Sequence, residues 1–302
     1  PPAIVLLPLG AVIATANQQA QLMAGDYSGS SVSVGDLFMG ALIPGLLLVS
    51  LYLAYIVFMA WYRPATMPPI PAAERGLGAG ALARRMVRDL IPPLALIVAV
   101  LGSIIAGYAT PTEAASVGAI GAMLIAAWQR RLNRSVLIYT MRNTTRVTCM
   151  VFMILVGASL FSLVFRGFGG DDAVHQLLNN LPGGVIGAML IVMLLMFLLG
   201  FVLDFIEITF VIVPIVGPIL IAMGLDPIWL GVMIALNLQT SFLTPPFGFS
   251  LFYLRGVAPA SVTTPQIYRG VVPFIGIQLT MLLILAIWPE LVTWLPNAIY
   301  GD

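Results

Sequence analysis

Apolar runs of about bilayer length follow one another through this sequence almost without interruption, and no other feature narrows the fold as far. They lie at Ala3 to Ala16, Leu37 to Tyr62, Leu90 to Ala106, Ala114 to Trp128, Val147 to Phe165, Val185 to Leu203, Ile208 to Met223, Ile228 to Val257 and Gly270 to Trp288. A helix crosses the hydrocarbon core with roughly 20 residues, so several of these suffice. With 60% hydrophobic and 8% charged residues, the chain reads as an integral membrane protein. A barrel would need short strands alternating apolar and polar positions, whereas these runs are apolar on every side. The expected fold class is all-α and polytopic.

The charged residues exclude several functions. All thirteen basic residues are arginine, so the chain has no lysine for a Walker loop or a Schiff base. Cys149 and His175 are single, which rules out an internal disulfide and a Cys/His metal site. The arginines sit between apolar runs, an arrangement that implies no nucleic-acid partner. No Ser/His, paired-Asp or HExxH constellation points to an enzyme, and no organic cofactor is expected.

Ten of the arginines fall in two connectors, Arg63, Arg75, Arg84, Arg85 and Arg88, then Arg130, Arg131, Arg134, Arg142 and Arg146. By the positive-inside rule both face the cytoplasm, and the two runs between them return the chain to that side. The polar loop "GGDDAVHQ" then faces outward, with His175 expected as a solvated residue and Cys149 as a small apolar packer. The pair of runs flanking Asp204 to Glu207 has two readings of equal parity, two full crossings or a re-entrant hairpin.

The segment "LNLQTSFLTPPFG" interrupts an apolar run with Pro245 and Pro246. Prolines remove donors and clash with the preceding turn, so Gln239 to Thr244 should carry freed carbonyls. Thr244 suits an N-cap and Pro245 the first helical position, which predicts one half-helix ending and another starting at mid-depth. Carbonyls and the Thr240, Ser241 and Thr244 hydroxyls are hard oxygen ligands suited to Na⁺, while the new N-terminus favours an anion. Asp204 and Glu207 are costly in hydrocarbon and need a cation, a cavity or water. "TPTE", Thr110 to Glu113, reads as a capping box with proline at the first helical position. A weak repeat pairs "PPAIVLLPLG" and "GDLFMGALIPG" with "PPFGFSLFYLRG" and "QIYRGVVPF", in opposite orientations.

Four ordered motifs, "GYATPTEAASVGAIGA", "FVLDFIEITFVIVPIVGPIL", "GLDPIWLGVMIALNLQTSFLTPPFG" and "RGVVPF", resemble the large membrane subunit of tripartite ATP-independent periplasmic (TRAP) transporters. The resemblance implies an inner-membrane permease with inverted repeats, re-entrant hairpins, broken helices and an elevator mechanism. It implies Na⁺-driven uptake of an organic anion, usually a carboxylate, with a periplasmic substrate-binding protein and a small four-helix membrane subunit as partners. Carried over by motif, residues 1–62 end the first repeat, 63–89 form a cytoplasmic linker and 90–302 form the second repeat. Its hairpin lies at about 185–223, its broken helix at about 228–257 and its last span at 270–288. The Na⁺ site is expected at Thr240, Ser241, Thr244 and Asp204. Asp204, Glu207, Asn237, Thr244, Pro245, Pro246 and Gly248 are expected to line or organise the substrate site. Because the sequence opens on Pro1 and Pro2, it is expected to be the carboxyl-terminal part of something longer. A non-transporting scaffold subunit of a larger complex is the competing reading.

Overall fold

The computed structural model describes residues 3–25, 31–64, 78–245, 248–259 and 262–300. Pro1, Pro2, Arg75 and Pro246 lie outside them, so the first copy of the proline repeat and half of the second break are not described. The described residues form helices and no strands, and the chain is an all-α polytopic membrane protein. Two compact units emerge, residues 1–52 with 150–302, and residues 53–149.

The larger unit is built around one buried helix. It contains α1 (Ala3–Ala24), most of α2 (Val34–Tyr62), the end of α5 (Arg134–Gly167), α6 (Gly170–Asn179) and α7 (Gly184–Leu199). Then follow α8 (Phe205–Glu207), a π turn (Ile208–Ile212), α9 (Val213–Ala222), α10 (Pro227–Leu243), α11 (Phe249–Val257), α12 (Thr264–Ile287) and α13 (Glu290–Tyr300). Every residue of α10 from Trp229 to Leu238 is buried, against α1, α7 and α12 among others. That burial explains why its sequence is apolar all round.

Small residues let the neighbours close on α10. A Cβ on Gly231 would lie 2.5 Å from Leu37 Cδ1, and one on Gly40 would lie 2.7 Å from Ile228 Cγ2. Such contacts are how membrane helices pack without a hydrophobic driving force between them. Two hydrogen bonds fix the rotation of α10: Trp229 Nε1 donates to Leu285 O at 2.8 Å, and Asn237 Nδ2 donates to Met193 O at 2.8 Å. Asp226 caps the helix by accepting from Trp229 N at 2.8 Å.

The smaller unit contains α3 (Ala79–Ile105) and α4 (Pro111–Trp128), which form a helical hairpin. The helices close on each other at Gly121, where a Cβ would meet Leu96 Cδ1 at 2.3 Å. Gly107 turns the chain with φ 71, and the expected capping box then restarts it. Thr110 N donates to Glu113 Oε2 at 2.8 Å, and Glu113 N donates back to Thr110 Oγ1 at 3.4 Å.

Several helices outrun their apolar spans. α1 continues through Asn17 to Ala24, past the apolar run that ends at Ala16. The expected linker 63–89 is helical from Ala79, so Arg84, Arg85 and Arg88 stand on α3 and not in a loop. α5 starts at Arg134 because Asn133 Oδ1 accepts from Val136 N at 2.8 Å, which places Arg142 and Arg146 on that helix. At about 1.5 Å per residue its 34 residues reach about 51 Å, well beyond the hydrocarbon core. "GGDDAVHQ" is also no loop, since it begins the amphipathic helix α6. His175 is exposed there, as expected, and contacts Asn179 Nδ2. Cys149 is exposed on α5 and packs in no core.

Candidate functional site

The sequence pointed to two interruptions, and the structure brings them against each other. α7 stops at Leu199, and the chain turns through Gly200 to Asp204 before α8. α10 stops at Leu243, and α11 begins at Phe249. Gly200 meets the last turn of α10 so closely that a Cβ there would lie 2.2 Å from Ser241 Oγ and 2.8 Å from Ser241 Cβ. One residue past Asp204, the Phe205 ring packs edge-on against Phe242 with centroids 6.1 Å apart.

Three hydroxyls line the end of α10. Thr240 Oγ1 donates to Leu236 O at 2.8 Å, Ser241 Oγ to Leu238 O at 2.9 Å and Thr244 Oγ1 to Thr240 O at 2.7 Å. Each hydroxyl hydrogen is directed back along the helix, while the oxygen keeps lone pairs for another partner. Thr240 and Ser241 are buried. Oxygen donors with their hydrogens turned away suit a hard cation such as Na⁺.

Thr244 plays a different part from the expected one. It is the C-cap of α10 (φ −86, ψ 126), and Gly248 stands at the N-cap of α11 without a side-chain cap. The reason is steric: proline at 245 disfavours helical geometry in the residue before it, so the helix ends there. Gly248 is required by close approach, because a Cβ would lie 2.8 Å from Phe242 O and 3.0 Å from Thr244 O. Pro245 sits in the turn.

Asp204 and Glu207 form a second capping box. Asp204 Oδ1 accepts from Phe205 N at 2.8 Å, and Glu207 Oε2 accepts from Asp204 N at 3.3 Å. Both acids are half-buried and placed by the helix start they cap. Asn237 is buried on the face toward α7 and holds that helix through Met193 O, a positioning role.

Sequence reasoning missed Thr209. It lies fully buried in the π turn, and its hydroxyl has no hydrogen-bond partner among the described residues. Pro214 lacks the N–H that the Phe210 carbonyl would take in an α-helix, which explains the widened turn. Gln239 Oε1 and Gln278 Oε1 are also buried without partners among the described residues. The Pro214 and Pro218 spacing could have flagged the irregular helix; nothing in the sequence marks which hydroxyl it strands. No cluster of three His, Cys, Asp or Glu side chains that could hold a metal occurs among the described residues.

Discontinuous helices packed inside an apolar envelope, with polar breaks that meet, define a multi-pass membrane protein of the broken-helix kind. The chain belongs to the family of the tripartite ATP-independent periplasmic transporter, DctM component, which matches residues 11–291. A C4-dicarboxylate TRAP transporter large permease from Vibrio cholerae is 27% identical over 295 residues, 91% of this chain and 63% of the relative. Its counterpart from Rhodobacter capsulatus is 29% identical over 89% of this chain and 59% of its own length. An ectoine/5-hydroxyectoine large permease from Ruegeria pomeroyi is 27% identical over 90% of this chain and 62% of its own. The chain thus spans about three-fifths of the length of these relatives.

Proposed function

We propose that this chain forms part of a permease for Na⁺-coupled uptake of an organic anion, a carboxylate delivered by a periplasmic binding protein. The observation that carries the reading is the contact of Gly200 with Ser241, where the turn after α7 meets the broken end of α10. Na⁺ is held by the Thr240, Ser241 and Thr244 oxygens with Asp204 nearby, and Asn237 fixes the rotation of the helix that carries them. Glu207, Thr244, Pro245, Pro246 and Gly248 receive the substrate carboxylate. Bound Na⁺ offsets part of the cost of bringing a carboxylate to mid-membrane, and that shared term couples the two.

The 16 residues of α7 reach only about 24 Å, short of the roughly 30 Å core, which favours the re-entrant hairpin over two full crossings. The hairpin and the broken helix belong to the second of two inverted repeats, which moves as an elevator against a fixed frame. A small four-helix membrane subunit completes the assembly.

The test is uptake into proteoliposomes holding the whole transporter, with the carboxylate its binding protein retains as the labelled solute. Replacing Na⁺ by K⁺ should abolish uptake, and Asp204→Ala or Thr244→Ala should raise the Na⁺ requirement at least tenfold. Uptake indifferent to Na⁺ would sink the coupling. A stable complex that never transports and tolerates both substitutions would favour the scaffold reading.

A further inference from the structure

The smaller unit carries a basic cavity that the transport reading does not use. It measures ≈ 500 Å³ and is lined by Arg84, Arg85, Arg88, Asp89, Gln129 and Arg131. Three of its arginines stand on the first turns of α3, while Gln129 and Arg131 follow the end of α4, so one end of the helical hairpin supplies both walls. Asp89 lies 3.8 Å from Arg85, and Arg84, Arg88 and Arg131 make no ion pair among the described residues. Asp89 offsets one of the four guanidinium charges around the hollow, and the remaining three repel one another unless a further anion joins them.

The surroundings of the cavity define the anion. Arg84, Arg85 and Arg88 fall within about a third of the circumference of α3 at 100° per residue, and Val87, Ile91 and Leu94 occupy the adjoining sector. All three apolar side chains are exposed. Pro92 and Pro93, inside the same helix, mark where it enters its apolar run. A basic hollow flanked by an exposed apolar stripe at the membrane border fits a ligand with an anionic head and a hydrocarbon tail. Planar guanidinium forks match phosphate oxygens in pairs, which a lysine cluster does not.

Backbone geometry adds an independent mark. α4 ends in a Schellman turn, with Arg131 N donating to Ala126 O at 2.8 Å and Arg130 N to Ala127 O at 2.9 Å. The residue at the left-handed position of such a turn is ordinarily glycine, and here it is Arg130 with φ 55. The turn holds the backbone of Arg131 at the rim of the hollow. By the arginine distribution this end of the hairpin faces the cytoplasm, beside the leaflet that carries anionic lipid.

We propose that the cavity binds the phosphate headgroup of an anionic phospholipid from the cytoplasmic leaflet. The full chain, purified from membranes with the subunits that accompany it, is titrated with phosphatidylglycerol or zwitterionic phosphatidylcholine. Bound lipid is counted by native mass spectrometry. Phosphatidylglycerol should bind at least tenfold more tightly than phosphatidylcholine. Arg84→Gln/Arg88→Gln should erase the preference, and Arg142→Gln/Arg146→Gln, which removes equal charge from α5, should keep it. Arg84→Lys/Arg88→Lys preserves the charge that sets topology and should retain part of the preference, which separates loss of the site from misinsertion. Equal binding of both lipids, or a preference that survives Arg84→Gln/Arg88→Gln, overturns the proposal. Millimolar inorganic phosphate that binds one to one and displaces phosphatidylglycerol would overturn it too, assigning the hollow to a free anion.

Discussion

Gly200→Ala tests whether the two interruptions act as one site. The new Cβ would lie 2.2 Å from Ser241 Oγ, 2.8 Å from Ser241 Cβ and 3.3 Å from Met196 O. Ordinary contact needs about 3.4 Å or more, so the turn must withdraw from α10 by on the order of 1 Å. Overpacking of this kind costs about 1–3 kcal/mol. Each kcal/mol lowers Tm by roughly 2–4 °C in domains of 150–250 residues. The assay is thermal unfolding of the purified chain in NaCl and in KCl. If Na⁺ binds between turn and helix, Na⁺ at 100 times its Kd adds about 2.7 kcal/mol, and Gly200→Ala should remove most of that increment. Ser241→Ala, which removes the nearest clashing atom, should partly restore the Tm in KCl when combined with Gly200→Ala. A coupling above about 0.5 kcal/mol in the double-mutant cycle would report their contact. Unchanged stability in KCl would refute the packing, and an intact Na⁺ increment in a destabilised Gly200→Ala would refute the shared site.

Other substitutions probe single features. Asn237→Leu strands the Met193 carbonyl that its amide satisfies at 2.8 Å, and should cost about 1–3 kcal/mol by thermal unfolding. Thr209→Val keeps the shape and deletes a hydroxyl with no partner, so stability should hold or rise by up to about 1–3 kcal/mol; a marked loss would show that the hydroxyl is bonded. Arg130→Gly should raise stability by about 1 kcal/mol, because glycine adopts φ 55 without the Cβ penalty, and a lowered Tm would count against the turn geometry.

Much of the architecture was legible because prolines and arginines act locally. Pro245 stopped α10 within two residues of where its ring demands, and the arginine-bounded pair of runs became the α3–α4 hairpin. The continuations were not legible, since hydropathy marks where a helix sits in lipid and not where it ends. Asn17 to Ala24, Ala79 to Asp89 and Arg134 to Arg146 are helical outside their apolar runs, held by continuing backbone bonds that leave no hydrophobic trace. "DFIE" could have been read as a capping box by the rule that identified "TPTE", since Asp serves as an N-cap as well as Thr. Thr244 was assigned to the wrong helix because an N-cap and a C-cap before proline look alike in one dimension. Contacts such as Gly200 with Ser241 join residues distant along the chain, and no local pattern encodes them.

The Trp229 bond to Leu285 also bears on the order of synthesis. The two residues are 56 apart, so the acceptor leaves the ribosome roughly 3 to 11 s after the donor at about 5–20 residues per second. Until then α10 has an unmatched indole N–H on the face that α12 will cover. Asn237 and Gln239 add polar weight to the same short helix. Such a segment is a poor candidate for early release into lipid. Its neighbours α1, α2 and α7 are made before it and can hold it at the insertion site until α12 arrives. The helix at the centre of the larger unit is then among the last to settle there, and a ribosome stalled between residues 243 and 285 would leave it unfinished.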